Sequence, residues 1–273
     1  MTAPIAAATS NAEAAATRPP SRPRALITGA SAGIGRVFAD RLAAQGYDLI
    51  VVGRDAGRLA ALAGELRGTH GASVEVFPAD LSRDDEITRL VQRVCAGPPL
   101  AVLVNNAGFG ATGRLATAPP EPQVAMVHLH TLAPMRVTRA ALPAMLARGA
   151  GAVINVSSIA SFIFSAGNVN YCATKAYLTV FSEGLAAELT GTGVRVQALC
   201  PGFTHTEFHQ RMGVDKRSIR GALWLSAEYV VDYSLASLDR GGPVVCVPGL
   251  RYKLLVAAIR LTPRWLLGRV TRR

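Results

Sequence analysis

The chain has 273 residues, half of them hydrophobic and 17% charged, with a formal net charge of +11. That length and apolar content suit one large α/β domain better than two small ones. The positive charge would fit a nucleic-acid partner, but six arginines and one lysine fall in residues 251–273 without a single acid, whereas the body mixes both signs. No aromatic–basic interleaving accompanies it, so no nucleic-acid partner is expected.

Residues 1–23, rich in Ala, Thr, Ser and Pro, read as a disordered leader. They lack the apolar core of a signal peptide, and Glu13 makes an organelle presequence the lesser option. Strands are predicted at Ala25–Thr28, Asp48–Val52, Ser73–Pro78, Ala101–Val104, Ala152–Val156, Val194–Leu199 and Pro243–Val247. Amphipathic helices are predicted between them, at Ile34–Gln45, Ala56–Leu66, Asp84–Cys95, Glu121–Ala147, Asn170–Leu189 and Ala227–Leu238. Continuous apolar strands alternating with helices predict a Rossmann-type doubly wound, seven-stranded parallel sheet in a single domain, residues 24–250. Ligands of such sheets bind beyond the carboxyl ends of the strands. Cys95, Cys172, Cys200 and Cys246 are widely scattered, which predicts reduced thiols. No run reaches the ~18 uninterrupted apolar residues of a membrane span, so a soluble, cytoplasmic protein is expected.

Directly after the first strand stands Thr28-Gly29-Ala30-Ser31-Ala32-Gly33-Ile34-Gly35. Glycines there allow a tight turn and close approach to a pyrophosphate, and the helix start supplies amide donors. The second strand ends Val51-Val52-Gly53-Arg54, with no acid at its tip. An acid there would select NAD by bonding the ribose hydroxyls, whereas Arg54 can grip a 2′-phosphate, so NADP(H) is the expected cofactor. Asp55 reads as the cap of the following helix.

Only three of the 29 basic residues are lysines, and Lys175 stands four positions after Tyr171. On a helix that spacing turns phenol and ammonium to one face. A nearby positive charge favours phenolate, so Lys175 is expected to lower the Tyr171 pKa. The spacing alone also suits an ordinary amphipathic helix. His205 and His209 stand four apart, but Glu207 is not adjacent to the first histidine as in a zinc protease, and His128 and His130 would face apart on a helix. No metal is expected.

Taken in order, these motifs resemble the short-chain dehydrogenase/reductase family, in its single-domain branch, from about Arg24 to Gly249. Asp80, Asn105-Asn106-Ala107-Gly108, Asn155-Val156-Ser157-Ser158 and Pro201-Gly202 complete the set. The resemblance implies that Gly29, Ser31, Gly33, Ile34 and Gly35 cradle the cofactor. It places Asp80 at the adenine, Asn106, Ala107 and Gly108 behind the ribose, and Pro201, Gly202, Thr204 and Thr206 near the nicotinamide and pyrophosphate. Asp80 has the alternative of capping a helix, and the two asparagines of knitting a loop. Ser158 rather than Ser157 matches the catalytic serine, with Tyr171 as proton donor and Lys175 on the nicotinamide ribose. His130 occupies the place of the family's fourth catalytic residue, an asparagine; it keeps the backbone carbonyl and adds a side chain that could carry protons.

The resemblance implies NADPH-dependent reduction of a ketone or aldehyde, or the reverse, by a homodimer or homotetramer. A catalytically weak NADP(H)-binding sensor is the alternative, resting on His130. Phe109, Phe162, Phe164, Phe203 and Phe208 stand near motif ends and suggest a lipophilic substrate. The tail, residues 251–273, is basic and amphipathic, and Pro263 divides it into two short helical pieces. Two readings are open: it caps the substrate opening or a subunit interface, or it contacts a membrane peripherally.

Overall fold

The computed structural model describes residues 22–208 and 221–270. The leader lies outside the described residues except for its last two, and so does His209. Seven parallel strands form one sheet in the order β3-β2-β1-β4-β5-β6-β7. They are β1 (Arg24–Thr28), β2 (Asp48–Gly53), β3 (Val74–Pro78), β4 (Leu100–Asn105), β5 (Gly151–Val156), β6 (Val194–Leu199) and β7 (Val245–Cys246). The helices between them are α1 (Gly33–Ala44), α2 (Ala56–His70), α3 (Asp84–Ala96), α4 (Pro120–Val127), α5 (Ala133–Arg148), α6 (Val169–Glu188) and α7 (Ala227–Asp239). After β7 come α8 (Leu250–Leu261) and α9 (Arg264–Val270). The order reverses between β1 and β4, which opens the crevice where such sheets take ligands.

Strand alternation builds two cores. Ile27, Val51, Val104 and Ile154 face α1, α2 and α7, meeting Phe38, Leu62 and Leu235. Leu26, Ile50, Leu103 and Val153 face α3, α5 and α6, meeting Leu90, Val137 and Leu185. Each fully buried Leu or Ile contributes about 1.5–3 kcal/mol. Asp55 does cap α2, accepting from the Arg58 amide at 2.9 Å. At the far edge β7 is shorter than the predicted Pro243–Val247, because prolines on either side cannot extend the ladder.

The long helix predicted over Glu121–Ala147 is interrupted by a π-helical turn at His128–Leu132, between α4 and α5. Pro134 is the physical reason: it has no N–H for the carbonyl of His130, and its ring clashes there. Widening the turn relieves the clash. The break falls at a residue already singled out from the sequence, and it turns His130 fully inward.

Candidate active site

The glycine loop and the loop after β4 are tied together by side-chain hydrogen bonds. Thr28 Oγ1 accepts from the amides of Asn106 (2.9 Å) and Ala107 (3.0 Å). Asn106 Nδ2 donates to the carbonyls of Thr28 (2.9 Å) and Gly29 (3.2 Å). Beneath them Asn105 Nδ2 donates to Asn155 Oδ1 at 2.8 Å, and Asn155 Nδ2 donates to Ser182 Oγ at 2.9 Å. The asparagine pair therefore does knit the loops, and a satisfied buried polar ladder of this kind fixes neighbouring strands rigidly.

Glycine is required where the chain passes itself. Gly29 has φ +67° and Gly33 +53°, the left-handed region. A Cβ on Gly35 would lie 2.3 Å from the Gly29 carbonyl oxygen. These absences leave a cradle at the start of α1 with amides free to face a phosphate.

A cavity of about 610 Å³ runs along the carboxyl edge. Ser158, Tyr171, Lys175 and the residues assigned from sequence to the cofactor all line it, except Gly35, which sits behind the loop. His130 is also absent from the lining; it lies behind Gly108. Arg54 stands exposed just beyond the tip of β2. Asp80 orders its own loop, accepting from the Ser82 amide (3.1 Å) and hydroxyl (2.7 Å), and does not cap α3. A larger cavity of about 810 Å³, bordered by Glu183, Tyr233, Lys253 and Arg260, lies between α6, α7 and α8 and contains none of these groups.

The two adjacent serines part company at the end of β5. Ser157 is buried, donating to the Lys175 carbonyl (2.8 Å) and pairing with Thr179 Oγ1 (2.9 Å). Ser158 turns into the cavity and accepts from the Ala160 amide at 3.1 Å. Lys175 Nζ donates to the Val156 carbonyl at 2.9 Å and stands 5.9 Å from the centre of the Tyr171 ring.

Electrostatics correct one expectation. Burial pushes the Tyr171 phenol up to about 12, with the Ser158 hydroxyl pulling the other way. Burial pulls Lys175 down to about 8. The net shift of the phenol is upward rather than downward, because burial disfavours phenolate more than its neighbours favour it. Tyr171 is a protonated donor at neutral pH.

His130 corrects another. Its Nε2 accepts from the Phe109 amide (3.2 Å), so the neutral ring carries its proton on Nδ1, 3.0 Å from Thr174 Oγ1. Thr174 in turn donates to the Tyr171 carbonyl at 3.1 Å. Burial and the nearby Lys175 charge push this imidazole well below the ordinary value of 6.5. Both nitrogens are engaged, so the side chain clamps the loop after β4 to α6 and leaves no nitrogen for a proton relay. Thr28 and Thr174 were not anticipated; no motif marks a threonine that serves its neighbours' backbone. Arg58 was also missed. It lines the cavity and holds Glu207 with two bonds, 2.7 and 3.0 Å. The available signal was a second arginine in the first turn of the helix that follows the tip of β2.

Of the phenylalanines near motif ends, Phe109 and Phe208 line the cavity. Phe162 and Phe203 pack instead on the small core under α8. Phe164 is exposed, beneath Arg264.

The profile of the family described as short chain dehydrogenase matches residues 23–217. A serine 3-dehydrogenase of Rhizobium radiobacter is 40% identical over 196 residues, 67% of this chain and 72% of that protein. A short-chain dehydrogenase from Sphingobium yanoikuyae, solved in complex with NADPH, has a TM-score of 0.79 and 36% identity, covering 87% of this chain and 94% of that one. The bulky-bulky ketone specific alcohol dehydrogenase from Comamonas testosteroni has a TM-score of 0.75 and 31% identity, covering 87% and 92%. The glycine cradle, the asparagine ladder and the serine–tyrosine–lysine wall thus stand on a sheet these enzymes share, and the chain belongs to the short-chain dehydrogenase family of oxidoreductases.

Proposed function

We propose that the protein uses NADPH to reduce a lipophilic ketone or aldehyde to its alcohol, or runs the reverse reaction. The observation that carries this reading is the single cavity that brings Ser158, Tyr171 and Lys175 onto one wall and the glycine cradle onto the other. The cradle fits a dinucleotide: a Cβ at Gly33 would meet Thr206 at 2.9 Å, so the space beside it depends on glycine. Arg54 and Arg58 line its adenosine end, and no acid follows β2 directly, which suits a 2′-phosphate. When bound, the dinucleotide supplies a hydride to the substrate carbon or accepts one from it.

The chain's own groups do the rest. Tyr171, protonated at neutral pH, gives its proton to the carbonyl oxygen, and Ser158 donates a hydrogen bond to the same atom. Lys175, held by the Val156 carbonyl, presents its ammonium to the ribose hydroxyls. The His130 carbonyl has no α-helical donor, because residue 134 is proline. Phe109 and Phe208 give the substrate end apolar walls. The Comamonas relative, named for bulky ketones, supports that substrate class. The sensor alternative rested on His130, but the imidazole found there braces the walls and leaves the three groups assembled. The same reading has the enzyme in the cytoplasm as a homodimer or homotetramer, needing no metal.

The test is NADPH absorbance with a panel of aldehydes and ketones, for the native protein and Tyr171→Phe. The variant is expected to lose about 10²–10⁴ in kcat while binding NADPH nearly as before. A variant that keeps most of its turnover would refute the assignment.

A further inference from the structure

Helix α8 has two apolar faces, and among the described residues only one of them is packed into a core. On the inner face Tyr252 and Val256 are buried against Ala198, Cys200 and Val247. The Tyr252 hydroxyl accepts from the Phe203 amide at 3.0 Å and donates to the Leu223 carbonyl at 2.6 Å. This pins the rotation of the helix. At 3.6 residues per turn, Leu250, Leu254 and Leu261 then fall on one line directly opposite. They are 71%, 63% and 86% exposed. Arg251 stands on one side of that line and Lys253 and Arg260 on the other. Beyond Pro263, α9 adds Trp265, 66% exposed, and Leu266.

The cations are placed rather than loose. Arg260 lies over the Phe162 ring at 5.0 Å and 4.0 Å from Glu183 of α6, and Lys253 lies over Tyr233 at 5.1 Å. An outward apolar stripe edged by cations is the pattern of a helix lying in a lipid interface, with its apolar line in the acyl boundary and its charges among headgroups. No described helix is long and apolar enough to cross a membrane, so the helix would lie in the plane of the surface.

We propose that the outer face of α8 and α9 docks the protein on an anionic lipid bilayer. A second copy of the chain would also cover leucines, but a two-fold contact sets each patch against itself. Residues 251–273 carry seven cations and no acid, so that contact would oppose like charge to like charge. Anionic headgroups meet both the charge and the stripe, each nearby cation contributing to the attraction. The docking face also shares a helix with the cleft: a Cβ on Gly202 would meet the Tyr252 ring at 2.0 Å, so α8 buttresses the Pro201–Gly202 wall. A lipophilic substrate dissolved in the bilayer would thus be concentrated beside the site.

Co-sedimentation of the full chain decides the matter, with vesicles of phosphatidylcholine alone and of phosphatidylcholine mixed with phosphatidylglycerol. Binding to the mixed vesicles at low salt, weakened by added salt, is the expected result. Leu254→Glu with Leu261→Glu should cut that binding about tenfold or more, while NADPH binding reports that the fold is intact. Arg251→Gln with Arg260→Gln should weaken it on the mixed vesicles. A full chain left in the supernatant, or a leucine variant that binds undiminished, would overturn the proposal. So would a leucine variant that splits an oligomer without losing vesicle binding, since the stripe would then be a subunit contact. Vesicle binding is read without turnover, so its failure leaves the reductase reading standing.

Discussion

The two walls of the cleft are built by opposite means. On the glycine-loop side, the loops are fastened by the side chains of Thr28 and Asn106, while glycines leave backbone exposed at the start of α1. On the catalytic side, the front is side chain and the backbone works behind it. Carbonyls and amides of Val156, Ala160 and Tyr171 position Lys175, Ser158 and the Thr174–His130 clamp. A pyrophosphate is recognised by amides that every residue carries, so the first wall tolerates almost any sequence that leaves room. Proton transfer needs particular acids and bases, so the second wall depends on residue identity.

That contrast can be broken first at Gly35. An added Cβ would meet the Gly29 oxygen at 2.3 Å and Asn106 Nδ2 at 2.4 Å, both fixed parts of the loop. Gly35→Ala is expected to destabilise the fold by about 1–3 kcal/mol and to abolish NADPH binding by fluorescence titration. Gly64→Ala in α2, where a Cβ meets nothing within 4 Å, is the matched control and should leave both measurements unharmed. If the two variants behave alike, the cradle is not defined by absent side chains.

A smaller effect should appear at Arg54, the place where the backbone wall does rely on a side chain. Arg54→Ala should weaken NADPH about ten- to a hundredfold through the lost contact to the 2′-phosphate, with NADH little changed. Equal weakening of both nucleotides in calorimetry would show that Arg54 does not read the phosphate.

The mildest prediction concerns the catalytic wall and pH. Lys175 is pulled down to about 8 by burial, so as pH rises through that value it passes from ammonium to neutral amine. The phenol, at about 12, stays protonated across the same window. Reductase kcat/KM should therefore fall with a midpoint at about pH 8, and the fall belongs to Lys175. A profile flat up to the ordinary lysine value of 10.5 would show that Lys175 is not buried in the working enzyme.

Much of this was legible in the chain itself. Apolar runs alternating with amphipathic segments determined the parallel sheet and its helices, because a strand covered on both faces must be continuously apolar. Gly29, Gly33 and Gly35 marked the cradle, Asp55 the cap of α2, and Pro263 the division of the tail, since each acts through local backbone geometry. The order of the remaining motifs pointed to the family, and the choice between Ser157 and Ser158 followed from it. What sequence could not supply were properties of environment. The direction of the Tyr171 shift depends on how much water reaches the phenol, and only packing of β5, α6 and the loop after β4 sets that. His130 looked like a proton carrier until Phe109 and Thr174 were seen to engage both its nitrogens. Arg58 meets Glu207 across 149 residues of chain, and Tyr252 meets Gly202 across the cleft wall. Local rules fix which conformation a segment adopts; burial, pKa and partnership arise between segments, and there the tertiary structure decided.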